Sequence, residues 1–279
     1  MTNRPIVLKF GGELIEDPTR LGTVVDAIAA TVHAAARRPL VIVHGGGKEI
    51  DAALKAAGIE KRQVDGLRIT DEATLEVVVG VLAGSVNTRL VAALAVAGVQ
   101  AVGLTGADGR CGLSAAAPPH HAVNGTMVDL GRVGIPAAGA NTRVVKTLLD
   151  GGFVPVIASI GVDAGGRLLN VNADAFAAHM AIELEAERLV VAGTTAGVLD
   201  SEGRTEPALD ADGIERLVTA RTATAGMIAK LRACEHAVAS GVGDVLIVDG
   251  RSREALEAAA AGALPESATR IAQRLGARV

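Results

Sequence analysis

The chain contains no tryptophan and no tyrosine, and only three phenylalanines among 279 residues. Binding of single-stranded nucleic acid leans on aromatic stacking platforms, so that class is disfavoured from the outset. The core has to be assembled from Ala, Val, Leu and Ile, which suits a sheet covered by alanine-rich helices. Cysteine is scarce as well. Cys111 and Cys234 stand far apart and lack metal-ligand spacing, and they read as two reduced thiols of a cytoplasmic protein. No basic block offsets the formal net charge of −4, so neither nucleic acid nor an anionic membrane is an expected partner. The long apolar stretch 75–99 is interrupted by Glu76, Gly80, Gly84, Asn87 and Arg89, and reads as a buried helix or helix pair rather than a membrane span. No charged-then-apolar signal segment opens the chain. Two familiar phosphate-binding signatures are also missing. Neither GxxxxGK[ST] nor GxGxxG occurs, which counts against a P-loop NTPase and a Rossmann dehydrogenase.

What is present is an alternation of short apolar runs and helical spacings. Residues 6–10 read as a strand. Residues 21–37 read as a helix with Val24, Val25, Ile28 and Val32 on one side. A strand at 40–43, a helix at 48–57 ending at Gly58, a helix over 72–98 and a strand at 99–104 follow. The middle, 105–140, is rich in Gly, Pro and Ala, breaks at Pro118-Pro119-His120-His121, and reads as hairpins and loops on a substrate side. The remainder reads as helix 141–150, strand 153–160, a turn at Asp163-Ala164-Gly165-Gly166, helix 172–185 and strand 188–192. Helices at 211–219, 227–240 and 253–261 then alternate with strands at 245–248 and 269–275. This order predicts an α/β fold, a three-layer αβα sandwich around a mostly parallel sheet. The expectation is a single domain, 1–279, whose lobes 1–180 and 181–279 share one continuous sheet.

Five segments carry chemistry. Val7-Leu8-Lys9-Phe10-Gly11-Gly12 and Val41-Ile42-Val43-His44-Gly45-Gly46-Gly47 are each an apolar run breaking into glycines. Glycine lets backbone N–H groups approach an anion, and a helix N-terminus adds a favourable dipole. Parallel neighbouring strands would bring both turns to one sheet edge, where α/β folds bind ligands. Arg68, in Gly66-Leu67-Arg68-Ile69-Thr70-Asp71, can clamp a carboxylate in two-point geometry or serve a structural ion pair. Asn170, Asn172 and Asp174 place three polar groups at alternate positions before a helix, more than a cap requires. In Thr224-Ala225-Gly226-Met227-Ile228-Ala229-Lys230, the lysine falls one turn inside a glycine-started helix.

Taken in order, these segments resemble the amino-acid kinase family, and within it the branch that phosphorylates N-acetylglutamate. The similarity also includes Val86-Asn87, Leu104-Thr105-Gly106-Ala107-Asp108-Gly109 and Val128-Asp129-Leu130-Gly131-Arg132-Val133-Gly134, and it runs from Lys9 to about residue 270. The resemblance implies an enzyme that uses ATP and Mg²⁺ to convert N-acetyl-L-glutamate to its 5-phosphate in arginine biosynthesis. It implies that Lys9 and Lys230 contact the phosphates, that Asp174 organises them, and that Gly11 and Gly12 hold ATP phosphates. By the same resemblance Gly46, Gly47, Arg68 and Asn170 contact the acylated amino acid. Gly45, Thr194, Gly197, Thr224 and Gly226 are implied on the nucleotide side, with ATP on the C-terminal lobe and both substrate and dimerisation on the N-terminal lobe. Thr194 stands where an acidic residue is common in the family, and Ala225 where Gly or Asp is usual. Since about five residues precede the first strand, the resemblance implies a homodimer insensitive to arginine. The alternatives are a kinase for a sibling substrate such as N-succinylglutamate or carrier-bound aminoadipate, and a non-catalytic amino-acid sensor on the same fold.

Overall fold

A computed structural model describes residues 4–34, 38–220 and 224–273. Its centre is an eight-stranded sheet in the order Ala208–Leu209, Ala268–Ile271, Asp244–Asp249, Arg188–Gly193, Ile6–Phe10, Leu40–His44, Val154–Ala158 and Ala101–Thr105. Neighbours are parallel except that Ala268–Ile271 runs antiparallel to Asp244–Asp249. Every residue of Ile6–Phe10, Leu40–His44, Val154–Ala158 and Arg188–Gly193 is buried. Strands buried on both faces are what a helix-covered parallel sheet requires, and they explain why these runs are continuously apolar rather than alternating.

The two faces of the sheet make two cores. Ile6, Leu8, Phe10, Leu40 and Ile42 pack on one, with Val24, Ile28, Leu82, Leu90 and Leu94 from its covering helices. Val7, Val41, Val43 and Ile157 pack on the other, with Phe176, Met180, Leu231 and Cys234. Both cysteines are buried free thiols, pushed up to about 12 by burial.

A smaller sheet, in the order Ile160–Val162, Leu168–Val171, Val133–Pro136 and Ser114–Ala116, stands beside the first. The strand expected over 153–160 divides to build it. Val154–Ala158 stays in the central sheet, the Ser159 N–H donates to the His44 carbonyl at 3.2 Å, and the chain then enters the smaller sheet. The turn expected at 163–166 closes the hairpin of Ile160–Val162 with Leu168–Val171.

The helix expected over 72–98 is three pieces: Glu72–Val79, a π-helical segment Gly80–Val86, and Asn87–Val96. By length and composition Glu72–Val96 could cross a bilayer. Here Val78, Leu82, Val86, Leu90 and Leu94 are buried in the core. The expected helix at 21–37 is seen as Pro18–His33, with Asp17 capping its start; positions 35–37 fall outside the described residues. The last strand is Ala268–Ile271, and positions 274–275 also fall outside them.

Candidate active site

Strand periodicity decides where Lys9 points. Side chains alternate along a strand, so Lys9 shares the face of Val7, opposite Leu8 and Phe10. Helices Ala173–Glu183 and Ala225–Ala239 cover that face, and they carry Asp174 and Lys230. Asp174 is in the first turn of its helix because Asn172 caps it, the Asn172 Oδ1 accepting from the N–H groups of Asp174 at 2.9 Å and Ala175 at 3.1 Å. A carboxylate there also faces the favourable end of the helix dipole. Thr224 caps the second helix by accepting from the Met227 N–H at 3.3 Å.

Lys9 Nζ lies 2.8 Å from Asp174 Oδ1, and Lys230 Nζ lies 3.4 Å from the same oxygen. The three residues are 5%, 9% and 8% exposed for Lys9, Lys230 and Asp174. Burial alone would raise the Asp174 carboxyl, but the charges of Lys9 and Lys230 overcome it and hold the group below the ordinary carboxylate range. Burial pulls the Lys9 ammonium down, and the adjacent Asp174 carboxylate more than restores it, leaving Lys9 above its usual value. Lys230 moves the other way, because burial and then repulsion from Lys9 outweigh its longer contact with Asp174. With all three charged, the cluster carries one surplus positive charge, and an anion is what it lacks.

The glycine turns lie side by side beside this cluster. The two strands run in parallel register, Phe10 opposite His44, so Gly11-Gly12 and Gly45-Gly46-Gly47 leave the sheet together. The Gly45 N–H donates to the Phe10 carbonyl at 3.3 Å. A Cβ on Gly12 would sit 2.9 Å from Gly46 Cα, and one on Gly46 would sit 2.9 Å from Leu82 Cδ2. Leu82 belongs to the π-helical segment, so that irregular turn abuts the glycine run. Gly47 opens helix Gly47–Ala56, and no atom lies within 4 Å of where its Cβ would be. His44 completes the turn from the other face. Asn87 Nδ2 donates to His44 Nε2 at 3.0 Å and to the Val156 carbonyl at 2.9 Å. Nδ1 therefore carries the proton and donates to the Gly45 carbonyl at 3.1 Å. Burial lowers this imidazole to about 4, so it is neutral at physiological pH and acts on the turn by hydrogen bonding.

A cavity of about 440 Å³ opens over these groups. Lys9, Gly11, Gly12, Gly45, Gly46, Gly47, Arg68, Asn170 and Asp174 all line it. Arg68 pairs with Asp51 and donates to the Gly47 carbonyl at 3.5 Å, while its Nη1 is buried without a hydrogen-bond partner among the described residues. Asn170 Nδ2 donates to Thr70 Oγ1 at 3.1 Å. The three polar groups that exceeded a cap's needs all line the cavity, and two have a further task there: Asn172 caps the helix and Asp174 joins the lysines.

Lys230, Thr194, Gly197, Thr224 and Gly226 do not line this cavity; Lys230 reaches it only through its contact with Asp174. Gly197 has φ of +72°, and a Cβ there would sit 2.6 Å from Thr269 Oγ1, so it is tied to the adjoining strand. Gly226 falls in the first turn of the Lys230 helix. Sequence reasoning missed Glu13, Glu16, Lys48, Asp51 and Lys61, charged residues that also line the cavity. Asp51 was findable, since it lies one helical turn after Gly47 and faces the same way. Lys61, whose Nζ is 2.6 Å from Asp51 Oδ2, precedes the short strand Gln63–Val64 and had no local signal.

This geometry can hold a polyanion against a helix N-terminus, paired glycine turns and two buried ammonium groups. Comparisons with known proteins place the chain among its relatives. Acetylglutamate kinase from Methanopyrus kandleri is 39% identical over 235 residues, covering 83% of this chain and 89% of that protein. Acetylglutamate kinase from Novosphingobium aromaticivorans is 39% identical over 244 residues, covering 84% and 80%. Among solved structures, smu.665 from Streptococcus mutans UA159 superposes with a TM-score of 0.78 at 26% identity, covering 98% of this chain and 100% of that one. The profile of the amino acid kinase family matches residues 4–249, a span that includes both glycine turns, Asp174 and Lys230, and the chain belongs to that family.

Proposed function

We propose that the chain is an ATP-dependent kinase that phosphorylates the side-chain carboxylate of N-acetyl-L-glutamate, giving N-acetyl-L-glutamyl 5-phosphate and ADP. The observation that carries this reading is the buried Lys9–Asp174–Lys230 cluster with its surplus positive charge beside two glycine turns. The relatives named above bear that activity in their names.

The acceptor is a carboxylate, already a nucleophile at neutral pH, so no general base is needed. What the reaction demands is that two anions be brought in line and their repulsion screened. In this reading the backbone N–H groups around Gly11, Gly12 and Gly45–Gly47 hold phosphate oxygens, and Lys9 and Lys230 meet the charge on the phosphoryl group in transfer. Asp174 keeps both ammonium groups aimed from one oxygen. Lys230, the more weakly held cation, gains most from an arriving phosphate. Arg68, with Nη1 unpartnered, takes the substrate α-carboxylate, and Asn170 adds a polar contact. His44 fixes the turn and needs no proton-transfer role.

Among the described residues no three His, Cys, Asp or Glu side chains converge on a metal site. Four carboxylates line the cavity: Asp51 and Asp174 are engaged by Lys61 with Arg68 and by the two lysines, and Glu13 and Glu16 stand beside the Gly11-Gly12 turn. In this proposal Mg²⁺ is carried on the nucleotide, where it neutralises phosphate charge. Residues 1–180 hold the acylated amino acid and 181–279 the nucleotide, with Thr194, Gly197, Thr224 and Gly226 on the nucleotide side, outside the cavity described. A homodimer completes the proposal: the edge strand Ala101–Thr105 is incompletely buried, and Val96 and Phe153 beside its start are exposed.

The test is ADP release with Mg-ATP against N-acetylglutamate, N-succinylglutamate, glutamate, aspartate and carbamate, with hydroxylamine trapping of the acyl phosphate. Selective turnover of N-acetylglutamate is expected. Selective turnover of a different acid would reassign the acyl pocket, and no turnover at all would overturn the enzymatic reading.

A further inference from the structure

Two small hairpins stand outside both sheets. The first pairs Gln63–Val64 with Leu67–Arg68, and its turn is Asp65-Gly66, with φ of +46° and +81°. Positive φ at both central residues is the tight hairpin turn that an Asp-Gly pair favours. Arg68 is opposite Gln63 at the base of this hairpin, and Asp65 is at its tip. The second pairs His120–His121 with Met127–Val128.

One carboxylate joins them. Asp65 Oδ2 accepts from His120 Nε2 at 2.8 Å and from the Val123 N–H at 3.0 Å. The tip of the Arg68 hairpin is thus tied to both a strand and the loop of the second hairpin. Its other side rests on the nucleotide-side helix, for a Cβ on Gly66 would come within 3.2 Å of the Ala225 Cβ, in the first turn of the helix that carries Lys230.

A hairpin of two residue pairs has little stability of its own, and its position must come from what holds its ends. At the base, Arg68 pairs with Asp51 and the Ile69 N–H donates to the Arg62 carbonyl at 3.0 Å. At the tip, the Asp65 contacts are the hydrogen bonds that reach across to another element. We propose that Asp65 and His120 form a latch that fixes the Arg68 hairpin over the cavity, making both of them positioning residues for the acylated amino acid. The identity of that ligand rests on the function proposed above. Neither side chain lines the cavity. Releasing the latch lets the hairpin pivot on its base, which weakens capture of the substrate and leaves the phosphate-side cluster untouched. His120 is partly buried and Asp65 is exposed at the surface, with side chains 27% and 31% accessible, so the effect is modest, about three- to fivefold.

The experiment combines kinetics with hydrogen exchange on the full chain. His120→Ala and Asp65→Gly, the latter removing the acceptor while keeping a Gly-Gly turn of the same type, should each raise KM for N-acetylglutamate about three- to fivefold with kcat within about twofold. The double variant should be no worse than either single, and His120→Gln, which retains an N–H donor, should recover most of the loss. In the unliganded protein, amides of residues 63–68 should exchange faster in His120→Ala than in the parent. An unchanged KM, additive effects in the double variant, or unchanged exchange would each overturn the latch. If the parent protein turns over no substrate, the activity reading fails by itself, and the exchange comparison still decides the latch.

Discussion

Lys9 and Lys230 share one carboxylate oxygen, and the sharing makes them unequal, with Lys9 held tightly and Lys230 left short of negative charge. Each acts on charge that peaks in transfer. Lys9→Ala and Lys230→Ala should therefore lower kcat by about 10²–10³-fold while moving KM for the acylated amino acid only a few-fold, by steady-state kinetics. Losses confined to KM would assign both lysines to ground-state binding. His44 makes a second prediction, this time about stability. Its folded value of about 4 lies below the ordinary 6.5, so between those values the unfolded chain takes up a proton that the native protein refuses. Stability is then lost as pH falls from 6.5 towards 4, by up to about 3 kcal/mol at about 1.4 kcal/mol per unit. Urea unfolding of the parent and of His44→Asn across that range isolates the term. The parent should show the steeper decline by one proton, and equal slopes would mean that His44 is not buried neutral.

At the scale of elements, the glycine turns separate two roles that look alike in sequence. Gly12→Ala thrusts a Cβ against the backbone of Gly46, which cannot yield as a flexible side chain would. It should destabilise the fold by about 1–3 kcal/mol and, by spreading the two turns, lower kcat about 10²-fold. Gly47→Ala meets nothing within 4 Å and starts a helix, so its melting temperature should hold or rise, yet activity should fall where a ligand approaches that backbone. Thermal melts and kinetics on the two variants check this; equal destabilisation in both would refute the packing argument. The contrast also marks how far the sequence could be read. Parallel strands breaking into glycines were visible as period and composition, and Phe10 opposite His44 follows from them. So were Asn172, Asp174 and Lys230, whose helix starts carry capping residues. The π-helical turn at Gly80–Val86 was hidden, because its apolar spacing blends into the flanking helices and only its packing on Gly46 gives it a purpose. Lys61 was hidden for another reason. Its meaning lies in its pairing with Asp51, and such long-range ion pairs leave no local pattern.

The whole molecule is arranged around the strand that bears Lys9. Arg188–Gly193, from the second half of the chain, flanks it on one side, and Leu40–His44, from the first half, flanks it on the other. Asp174 enters from the helix between those halves and Lys230 from a helix of the second, so the cluster also pins the two parts together. Folding has thus concentrated positive charge where the chain's halves meet, in a protein whose formal net charge is −4. A bound polyphosphate relieves that concentration, so stability should depend on anions. At about 100 times its dissociation constant, Mg-ADP or pyrophosphate contributes about 2.7 kcal/mol, which at this size raises Tm by about 4–5 °C. Asp174→Asn removes the shared counter-ion and leaves two ammonium groups facing each other. Its unliganded Tm should fall by about 5–9 °C, since breaking a buried pair costs about 3–5 kcal/mol. Pyrophosphate should then raise the variant's Tm by more than it raises the parent's, because the anion now supplies all of the missing charge. Scanning calorimetry with and without pyrophosphate reads both numbers. A variant as stable as the parent, or one that pyrophosphate fails to stabilise, would mean that Asp174 is not what holds the two lysines in place.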